Sequence, residues 1–377
     1  MKNLVKKINR IFQDYMREKR LKIGKYIWDR KEKTKIINGN NFIEDNNIKS
    51  ILFLRYDGKI GDMIVNSLMF REIKRVYPDI KIGVVARGAA IDIIKDNPNV
   101  NKIYEYHKDR KKIKDLAFKI KEEKYDLLID FSEMLRVNQM MLINLCGARF
   151  NLGLDRKEWR LFDLSIESSK DFKWTGHITN RYLAYLVKLG LKKEDIDTSY
   201  DIYLKDDKKY EIFFNRIEED KKIILNPYGA SKHKSFNIET LEKIITYLKD
   251  KKIGVILVYF SDKYKELEFL EKKYKNVYIP KKIENILDTA LLIKKSNYII
   301  TPDTSIVHIA SAFNRKMIAV YPPKGGKYGV DHLVWAPKSE YSKVIFCKDK
   351  SGTYDEIDIN TFDMEEMTEE ILKLINN

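Results

Sequence analysis

The chain has 377 residues, 44% of them hydrophobic and 12% aromatic, so two domains are expected and extensive disorder is excluded. Its 72 Lys and Arg residues against 56 Asp and Glu residues leave a net charge of +16, which favours an anionic partner unless the lysines only solvate the surface. Two cysteines are too few for a disulfide framework, and without a signal-peptide core or a membrane-spanning apolar run the sequence predicts a cytoplasmic protein.

Residues 1–48 are predicted to form a basic amphipathic helix followed by a polar linker. The first 50 residues contain 14 Lys and Arg against 6 Asp and Glu. Apolar side chains recur there at helical spacing: Leu4, Val5, Ile8, Ile11, Phe12, Tyr15 and Met16. Such a helix, within residues 1–36, is typical of peripheral contact with an anionic membrane. Packing on its own domain or on a second subunit is the alternative that the pattern leaves open.

Residues 49–205 alternate between strands and helices and are predicted to form a first Rossmann-like domain. The predicted strands are Ile51–Tyr56, Lys81–Ala86 and Tyr125–Phe131. The predicted helices are 62–76, 89–96, 110–123 and 176–189. Repeated β-α-β units imply a parallel sheet with helices on both faces.

A second series over residues 206–355 predicts another Rossmann-like domain, and residues 356–377 end in a terminal helix. The predicted strands are Ile223–Leu225, Ile253–Phe260, Val277–Ile279, Tyr298–Ile300 and Met317–Tyr321. The predicted helices between them are 238–249, 262–273 and 285–294. Two doubly wound domains place a ligand in the cleft between the carboxyl ends of both sheets.

The first strand runs into a turn, Arg55-Tyr-Asp-Gly-Lys-Ile-Gly-Asp62, that opens a helix. Gly58 and Gly61 let the backbone turn tightly and approach a ligand, so with Lys59 they are predicted to form a phosphate or acceptor loop. The spacing matches neither the dinucleotide fingerprint nor a Walker A loop. Asp62 is interpreted either as a general base that faces the cleft or as a carboxylate that the helix dipole favours.

A second strand-to-helix turn, Asn226–Phe236, opens the second series. It holds small residues and two lysines, Lys232 and Lys234. Lysines beside free backbone amides suit a diphosphate leaving group, which gains negative charge as its bond breaks. A solvated loop is the alternative.

A third turn lies within Tyr298–Phe313. The pattern predicts a strand, a turn at Pro302-Asp303 and a helix that opens at Thr304-Ser305, with His308 one turn inside. A helix N-terminus with free N–H groups and the positive end of the dipole is suited to phosphate. An ordinary capped turn is the alternative from this stretch alone.

In this order, the three turns resemble the heptosyltransferases of glycosyltransferase family 9. The glycine-aspartate pair at Gly61-Asp62 resembles the family's first motif, and Asn226-Pro-Tyr-Gly-Ala230 with Lys234-Ser-Phe236 resembles its second. Asp303-Thr-Ser-Ile-Val-His308 is similar to its third. The resemblance covers most of the chain from Ser50 onward.

The resemblance implies a GT-B fold and an inverting, metal-independent transfer from a nucleotide sugar, usually ADP-heptose, with no cofactor. The implied acceptor is the anionic inner core of lipopolysaccharide or another surface glycan. The family's catalytic base corresponds to Asp62, and its donor-phosphate lysine corresponds to Lys234. The implied donor contacts are Tyr228, Gly229, Asp303, Thr304, Ser305 and His308.

The chain also departs from the family pattern. Ser305 and Tyr228 stand where glycine is usual, and Tyr321–Gly326 replaces the common turn. A different nucleotide sugar or acceptor, or a non-catalytic partner subunit, therefore remains open.

Other candidate sites are weaker. Asp195-Ile-Asp197 matches a metal-binding pattern but is interpreted as solvated, so no metal site is predicted. Nucleic acid is not predicted as a partner because the sequence lacks a helix-turn-helix, zinc-finger or RNP-like motif. The side chains that could meet an anionic acceptor are Arg55, Lys59, Arg87, Arg136 and Arg149.

Overall fold

Two six-stranded sheets, each composed only of parallel strands, form the framework of the protein. The computed structural model describes residues 2–37, 39–206, 208–260, 263–351 and 356–376. The side chains of Leu4, Val5, Ile8 and Ile11, which contributed to the amphipathic pattern, lie outside the described part.

The first sheet has the strand order β3-β2-β1-β4-β5-β6. Its strands are β1 (Ser50–Arg55), β2 (Lys81–Ala86), β3 (Lys102–Glu105), β4 (Leu127–Asp130), β5 (Phe150–Leu154) and β6 (Leu164–Ile166). The helices that accompany it are α1 (Lys2–Trp28), α2 (Phe42–Asp45), α3 (Ile60–Val76), α4 (Ala90–Ile94), α5 (Arg110–Glu122), α6 (Val137–Cys146) and α7 (Thr179–Lys188). Central strands such as β1 are buried on both faces, which explains their continuous apolar sequence.

The second sheet repeats the topology with the order β12-β11-β10-β7-β8-β9. Its strands are β7 (Lys221–Leu225), β8 (Ile253–Leu257), β9 (Val277–Tyr278), β10 (Tyr298–Pro302), β11 (Lys316–Tyr321) and β12 (Ser342–Phe346). Its helices are α8 (Glu211–Asn215), α9 (Ile238–Asp250), α10 (Tyr264–Lys273), α11 (Ile286–Lys295), α12 (Ser305–Ala312), α13 (Asp331–Val334) and α14 (Met364–Asn376). Short 3-10 helices occupy Lys193–Asp195, Lys232–Lys234, Gly326–Tyr328 and Ile359–Thr361.

The two domains share one buried apolar cluster. Ile51 and Phe53 of β1 belong to the same cluster as Ile224 of β7 and Ile299 of β10. Side chains alternate along a strand, so Leu52 and Leu54 pack into a separate cluster on the opposite face. The domains are also joined by hydrogen bonds, such as that from the Ile178 N–H to the Val334 carbonyl at 2.8 Å. The prediction of two doubly wound domains that face each other is confirmed.

The strongest sequence patterns gave the most accurate elements. The predicted strand Lys81–Ala86 matches β2, and α5 nearly matches the predicted 110–123. The strands β3, β5, β6 and β12 and the helices α2, α6, α8 and α13 were missed. β5 has the sequence FNLGL, so a polar residue and a glycine interrupt its apolar run. Residue 262, where the sequence predicted a helix to begin, lies outside the described residues; that helix runs over Tyr264–Lys273.

The helix α1 packs on the first domain over its C-terminal half. Trp28 and Leu21 contact the apolar cluster that contains α6. Its N-terminal half leaves large apolar side chains in solvent, including Phe12 at 59% exposure and Tyr15 at 51%. Within the described part of the chain, neither this helix nor any other is long and apolar enough to cross a membrane.

Candidate active site

The sequence motifs converge on the carboxyl edges of the two sheets. In the first sheet, the strands up to β3 extend to one side of β1 and the strands from β4 onward extend to its other side, which leaves a crevice beyond Arg55 and Asp130. In the second sheet, the equivalent crevice lies beyond β7 and β10. Ligands of open parallel sheets bind at such switch points, because two adjacent loops there diverge to opposite faces.

Asp62 lies in the first turn of α3 and is held by a buried arginine. The Arg55 Nη2 atom is 2.6 Å from Asp62 Oδ1 and 3.0 Å from Asp57 Oδ2. The guanidinium also lies over the Phe131 ring, 5.5 Å from its centroid. The Asp62 side chain is 17% exposed, whereas Arg55 is 5% exposed. The buried guanidinium therefore fixes a carboxylate that is accessible from the cleft.

Arg55 remains charged in this position. Its burial by itself lowers the pKa of the guanidinium, but the Coulombic effects of Tyr182, Asp62 and Asp57 outweigh that desolvation, and the pKa is raised. A buried guanidinium is stable only while a carboxylate partner balances its positive charge. Arg55, one of the side chains that could meet an anionic acceptor, is thus already paired with Asp57 and Asp62, and its contact with an acceptor stays a prediction.

The loop between β1 and α3 needs both of its glycines. Gly58 has φ +77°, a left-handed conformation, and a Cβ there would lie 3.1 Å from the Arg87 Nε atom. A Cβ on Gly61 would lie 2.7 Å from Cδ2 of His308, a residue of the second domain. Lys59 is the N-cap residue of α3, and its exposed side chain lines the cleft. The loop therefore brings α3 and α12 together.

A cavity of about 1380 Å³ opens beside Asp62. Nine cationic side chains line it against four acidic ones, so its potential is positive. The cations are Arg17, Arg20, Arg55, Lys59, Arg87, Lys108, Arg110, Arg136 and Arg181. Most of the lining belongs to the first domain and α1, with Trp335 contributed by the second domain. Such a cavity fits an anionic ligand.

Four of the five predicted acceptor contacts, Arg55, Lys59, Arg87 and Arg136, line this cavity, whereas Arg149 does not. Arg149 precedes β5 and pairs with Asp126, which precedes β4, with 3.2 Å between Nη2 and Oδ1. Both residues are therefore at the amino ends of parallel strands, on the edge of the sheet opposite the cleft. The expectation for Arg149 was wrong because the loop pattern did not reveal which edge it occupies.

A buried carboxylate beneath the cavity was missed at the sequence level. Asp130 ends β4 and accepts hydrogen bonds from the Tyr56 hydroxyl at 2.6 Å and the Ser132 hydroxyl at 2.8 Å. Desolvation raises the pKa of Asp130, and the two hydrogen bonds only partly oppose it. The available signal was an acidic residue at the carboxyl end of an apolar strand, where site residues of parallel sheets concentrate.

The loop after β7 is bonded to the end of β10. The Asn226 side-chain amide donates to Thr301 Oγ1 at 2.9 Å and to the Tyr228 carbonyl at 2.8 Å. A Cβ on Gly229 would lie 2.0 Å from the backbone oxygen of Lys234, so only glycine fits there. Lys234 itself is buried at the end of a 3-10 helix. The lysine-bearing loop and the third motif thus form one structural unit.

The Tyr228 side chain has an orientation that the motif did not predict. Its ring packs edge-on against Phe260, with 5.1 Å between the ring centroids. Its hydroxyl is 3.4 Å from the Glu266 carboxylate, at the limit of a hydrogen bond. The side chain therefore lies against the β8–α10 loop.

The third motif has the predicted strand, turn and helix. The Asp303 N–H donates to the Val320 carbonyl at 2.9 Å, and Thr304 is the N-cap residue of α12 with an extended backbone. The Thr304 side chain accepts no capping hydrogen bond, and Ser305 begins the helix. The first backbone N–H groups are thus not covered by the cap side chain, which is the arrangement that suits an anion.

His308 lies one turn further along, at the contact between the domains. Its ring packs edge-on against Tyr200 and Trp335, with centroid distances of 6.0 Å and 5.7 Å. Burial, with a smaller contribution from the nearby His177, lowers its pKa to about 3, so the imidazole is neutral. Its Nδ1 atom has no hydrogen-bond partner within the described chain.

Residues 113–336 match the model of glycosyltransferase family 9 (heptosyltransferase). The chain belongs to glycosyltransferase family 9. A relative from Escherichia coli K12, provisionally named lipopolysaccharide heptosyltransferase 4, is 25% identical over 330 residues, which cover 85% of this chain and 87% of the relative. The resemblance stated from the three motifs is therefore confirmed, and the chain is a glycosyltransferase.

Solved structures confirm the GT-B fold of this family 9 enzyme. The family 9 glycosyltransferase of Veillonella parvula superposes with a TM-score of 0.71 at 16% identity, covering 86% of this chain and 97% of the other. The ADP-heptose lps heptosyltransferase II of E. coli gives a TM-score of 0.65 at 18% identity, with coverage of 86% and 98%. At these identities the likeness establishes the fold alone.

The glycosyltransferase has two groups of motif residues on opposite sides of the domain contact. Asp62 and Lys59 line the large cavity of the first domain. Lys234, Gly229 and the Asp303–Ser305 turn lie at the switch point of the second sheet. The contact between Gly61 and His308 is where the two groups meet.

Proposed function

We propose that this glycosyltransferase transfers a heptose from ADP-heptose to a lipopolysaccharide or lipooligosaccharide core sugar, with inversion and without a metal. The family description and the names of the two E. coli relatives support heptose, its ADP carrier and this acceptor. The observation that carries the proposal is the Asp62 carboxylate, anchored by Arg55 at 2.6 Å and exposed to a positively charged cavity.

The proposed reaction is a single displacement. An acceptor hydroxyl attacks the anomeric carbon of the heptose while Asp62 takes the hydroxyl proton. A new C–O bond forms on one face as the C–O bond to ADP breaks on the other, and the electron pair leaves with the diphosphate. Inversion follows because attack and departure occur on opposite faces.

The leaving diphosphate requires positive charge, for which the second domain has two sources. The first is the side-chain ammonium group of Lys234. The second is the N-terminus of α12 at Ser305, which presents backbone N–H groups and the positive end of a dipole. Together they would stabilise the developing charge of ADP in place of a metal. Within the described residues, no group of three or more His, Cys, Asp or Glu side chains is placed to hold an ion.

The remaining donor residues have supporting roles in the proposal. The carboxylate of Asp303 would bind sugar hydroxyls, and Thr304 would bind a phosphate oxygen through its hydroxyl. Gly229 and Tyr228 would form the floor of the donor loop. His308, neutral and beside Gly61, would hold the two domains at the spacing that the reaction needs.

The donor is tested by thermal shift of the full chain with ADP-heptose, UDP-sugars and GDP-sugars, each with and without EDTA. ADP-heptose is expected to raise Tm both with and without EDTA, because a ligand that binds only the native state stabilises that state. A shift with a different nucleotide sugar would transfer the proposal to that donor, and a shift abolished by EDTA would refute metal independence. The anomeric configuration of the product, measured by NMR, tests inversion.

We also propose that α1 holds the enzyme on the inner face of the inner membrane. Phe12, Tyr15, Ile23 and Tyr26 fall on one side of the helix and are all more than half exposed, the largest value being 76% for Tyr26. Lys19 lies within this row, over the Tyr15 ring, and Lys22 lies beside it, so cationic groups accompany the apolar side chains as in helices that lie in an anionic membrane interface.

Co-sedimentation with anionic and zwitterionic liposomes tests the membrane contact. Replacement of Phe12, Tyr15 and Tyr26 by Ser is expected to reduce binding to anionic liposomes only. The control replaces Phe118 and Ile212, which are 51% and 82% exposed on other surfaces, by Ser. Equal binding by both variants would refute the contact.

A further inference from the structure

The helix α1 is fixed against the first domain by specific contacts. Gly24 lies so close to α6 that a Cβ there would be 2.6 Å from Val137 Cγ2. The Asn144 side-chain amide donates to the Trp28 carbonyl at 3.1 Å, and the buried Asp29 carboxylate accepts the Leu161 N–H at 2.8 Å. The helix is therefore part of the domain, although it lies outside the residues that match the family model.

A second stripe of the docked helix lines the cavity beside Asp62. The residues of the stripe recur every three or four positions, the period of one helix face. They include Gln13, Arg17, Arg20, Gly24 and Ile27. At about 100° per residue this stripe points away from the exposed row of Phe12, Tyr15 and Tyr26. Ile23 of the exposed row lies at the edge of the cavity, whereas Phe12, Tyr15 and Tyr26 do not line it and are free for the membrane.

Arg17 and Arg20 add two guanidinium groups to the cavity wall. Arg17 pairs with Asp14 at 2.9 Å, but both side chains are more than half exposed, at 68% and 52%. Exposed pairs of this kind are weak, so a ligand anion can displace Asp14. On the facing loops, Lys59, Lys108 and Arg136 form no ion pair within the described part of the chain. Two cationic walls thus face one space.

The size of the cavity indicates an extended ligand. At about 1380 Å³ it exceeds the roughly 300–1,000 Å³ of a typical small-molecule pocket. Arg17 is seven residues before Gly24, so at about 1.5 Å per residue it lies about 10 Å beyond that docking point. The cavity that contains both Asp62 and this arginine pair therefore has room for more than one sugar ring.

We infer that α1 forms the outer wall of the acceptor site and that Arg17 and Arg20 bind an acid group on the acceptor saccharide. This inference rests on the proposed glycosyltransfer to an anionic core saccharide. Guanidinium groups bind phosphate and carboxylate with paired, charge-assisted hydrogen bonds, which a lysine cannot provide in the same geometry. The acid group lies away from the reacting hydroxyl, so the arginines act in acceptor binding and not in proton transfer.

The test uses the full chain with Arg17→Ala and Arg20→Ala together and a water-soluble, deacylated core saccharide that carries phosphate. Because this acceptor is soluble, the assay needs no membrane, and membrane binding by α1 cannot affect the result. Calorimetric Kd and the acceptor KM are both expected to rise about tenfold, the effect of losing one charge-assisted contact. The kcat and the ADP-induced rise in Tm are expected to stay unchanged.

The matched control is Lys19→Ala with Lys22→Ala, which removes the same charge from faces of α1 outside this cavity. If both double variants weaken binding equally, or if the wild-type enzyme does not bind the saccharide, the inference is refuted. Saccharide binding without heptose transfer would refute the proposed function alone.

A dephosphorylated saccharide identifies the acid group. If removal of the phosphate raises the wild-type Kd and the arginine variant then binds as well as wild type, the group is phosphate. If the arginine variant still weakens binding, the group is a carboxylate of an acidic sugar. Either result supports the arginine wall.

Discussion

Asp62→Asn is the most informative single change in this enzyme. Asn preserves the shape of the side chain but cannot take the proton of the acceptor hydroxyl. The buried Arg55 guanidinium keeps its second carboxylate, since Asp57 Oδ2 lies 3.0 Å away. The substitution therefore separates the loss of the base from the loss of the structure around it.

The expected magnitudes differ for catalysis and stability. A positioned general base contributes about 10²–10⁴-fold, so kcat should fall by that factor, which corresponds to a rise of about 3–5 kcal/mol in activation free energy. Breaking a fully buried pair costs about 3–5 kcal/mol, but Asp62 is 17% exposed and Arg55 retains Asp57, so we expect a loss of about 1–2 kcal/mol of stability.

The assay measures kcat at saturating donor and acceptor, with the ADP-induced rise in Tm as a readout of donor binding. Asp57→Asn is the control, because it removes the same charge from the same guanidinium while its side-chain oxygen can still accept the Lys59 N–H. The control should keep kcat within about tenfold. A kcat for Asp62→Asn within tenfold of wild type, or an equal loss in both variants, would refute Asp62 as the base.

Three further predictions concern the donor loop, the domain contact and the added helix. Gly229→Ala places a Cβ 2.0 Å from the backbone oxygen of Lys234, so the ADP-induced rise in Tm should disappear while saccharide binding remains. Folded His308 takes up a proton only near pH 3, whereas an unfolded histidine does so near pH 6.5. The free energy of unfolding should therefore fall as pH drops from about 6.5 towards 3, by up to about 1.4 kcal/mol per pH unit for this group. In chemical denaturation at pH 7.5 and 5, His308→Gln should lose less stability on acidification than wild type, and an identical loss would contradict a neutral buried imidazole. Gly24→Leu should clash with Val137 and lower Tm, whereas Lys22→Leu, at an exposed position, should not.

The buried carboxylate under the cavity illustrates how position determines the properties of a residue. Asp130 and Asp62 both lie near the carboxyl edge of the first sheet, but Asp130 is completely buried and is bonded to Tyr56 and Ser132. Desolvation raises its pKa, whereas Asp62 has an arginine partner and access to the cleft. Sequence reasoning selected Asp62 because its motif lies at a helix start, where the family pattern could be matched.

The sequence by itself determined the alternation of strands and helices, the two doubly wound domains and the three turns that carry the motifs. These features are encoded locally, because an apolar run followed by glycine or a capping residue favours strand, turn and helix within about 15 residues. Hence β10, the turn at Asp303 and the start of α12 at Ser305 followed the prediction closely.

Only the tertiary structure decided what surrounds each of these residues. Arg55 is a buried partner of Asp62, Arg149 lies at the far edge of the sheet, and His308 is enclosed between the domains. The helix α1 has one face on α6, one in the cavity and one in solvent, a division that its helical period does not reveal. The physical reason is that burial and charge pairing depend on contacts between residues far apart in the chain, whereas the sequence pattern records only which residues are near neighbours.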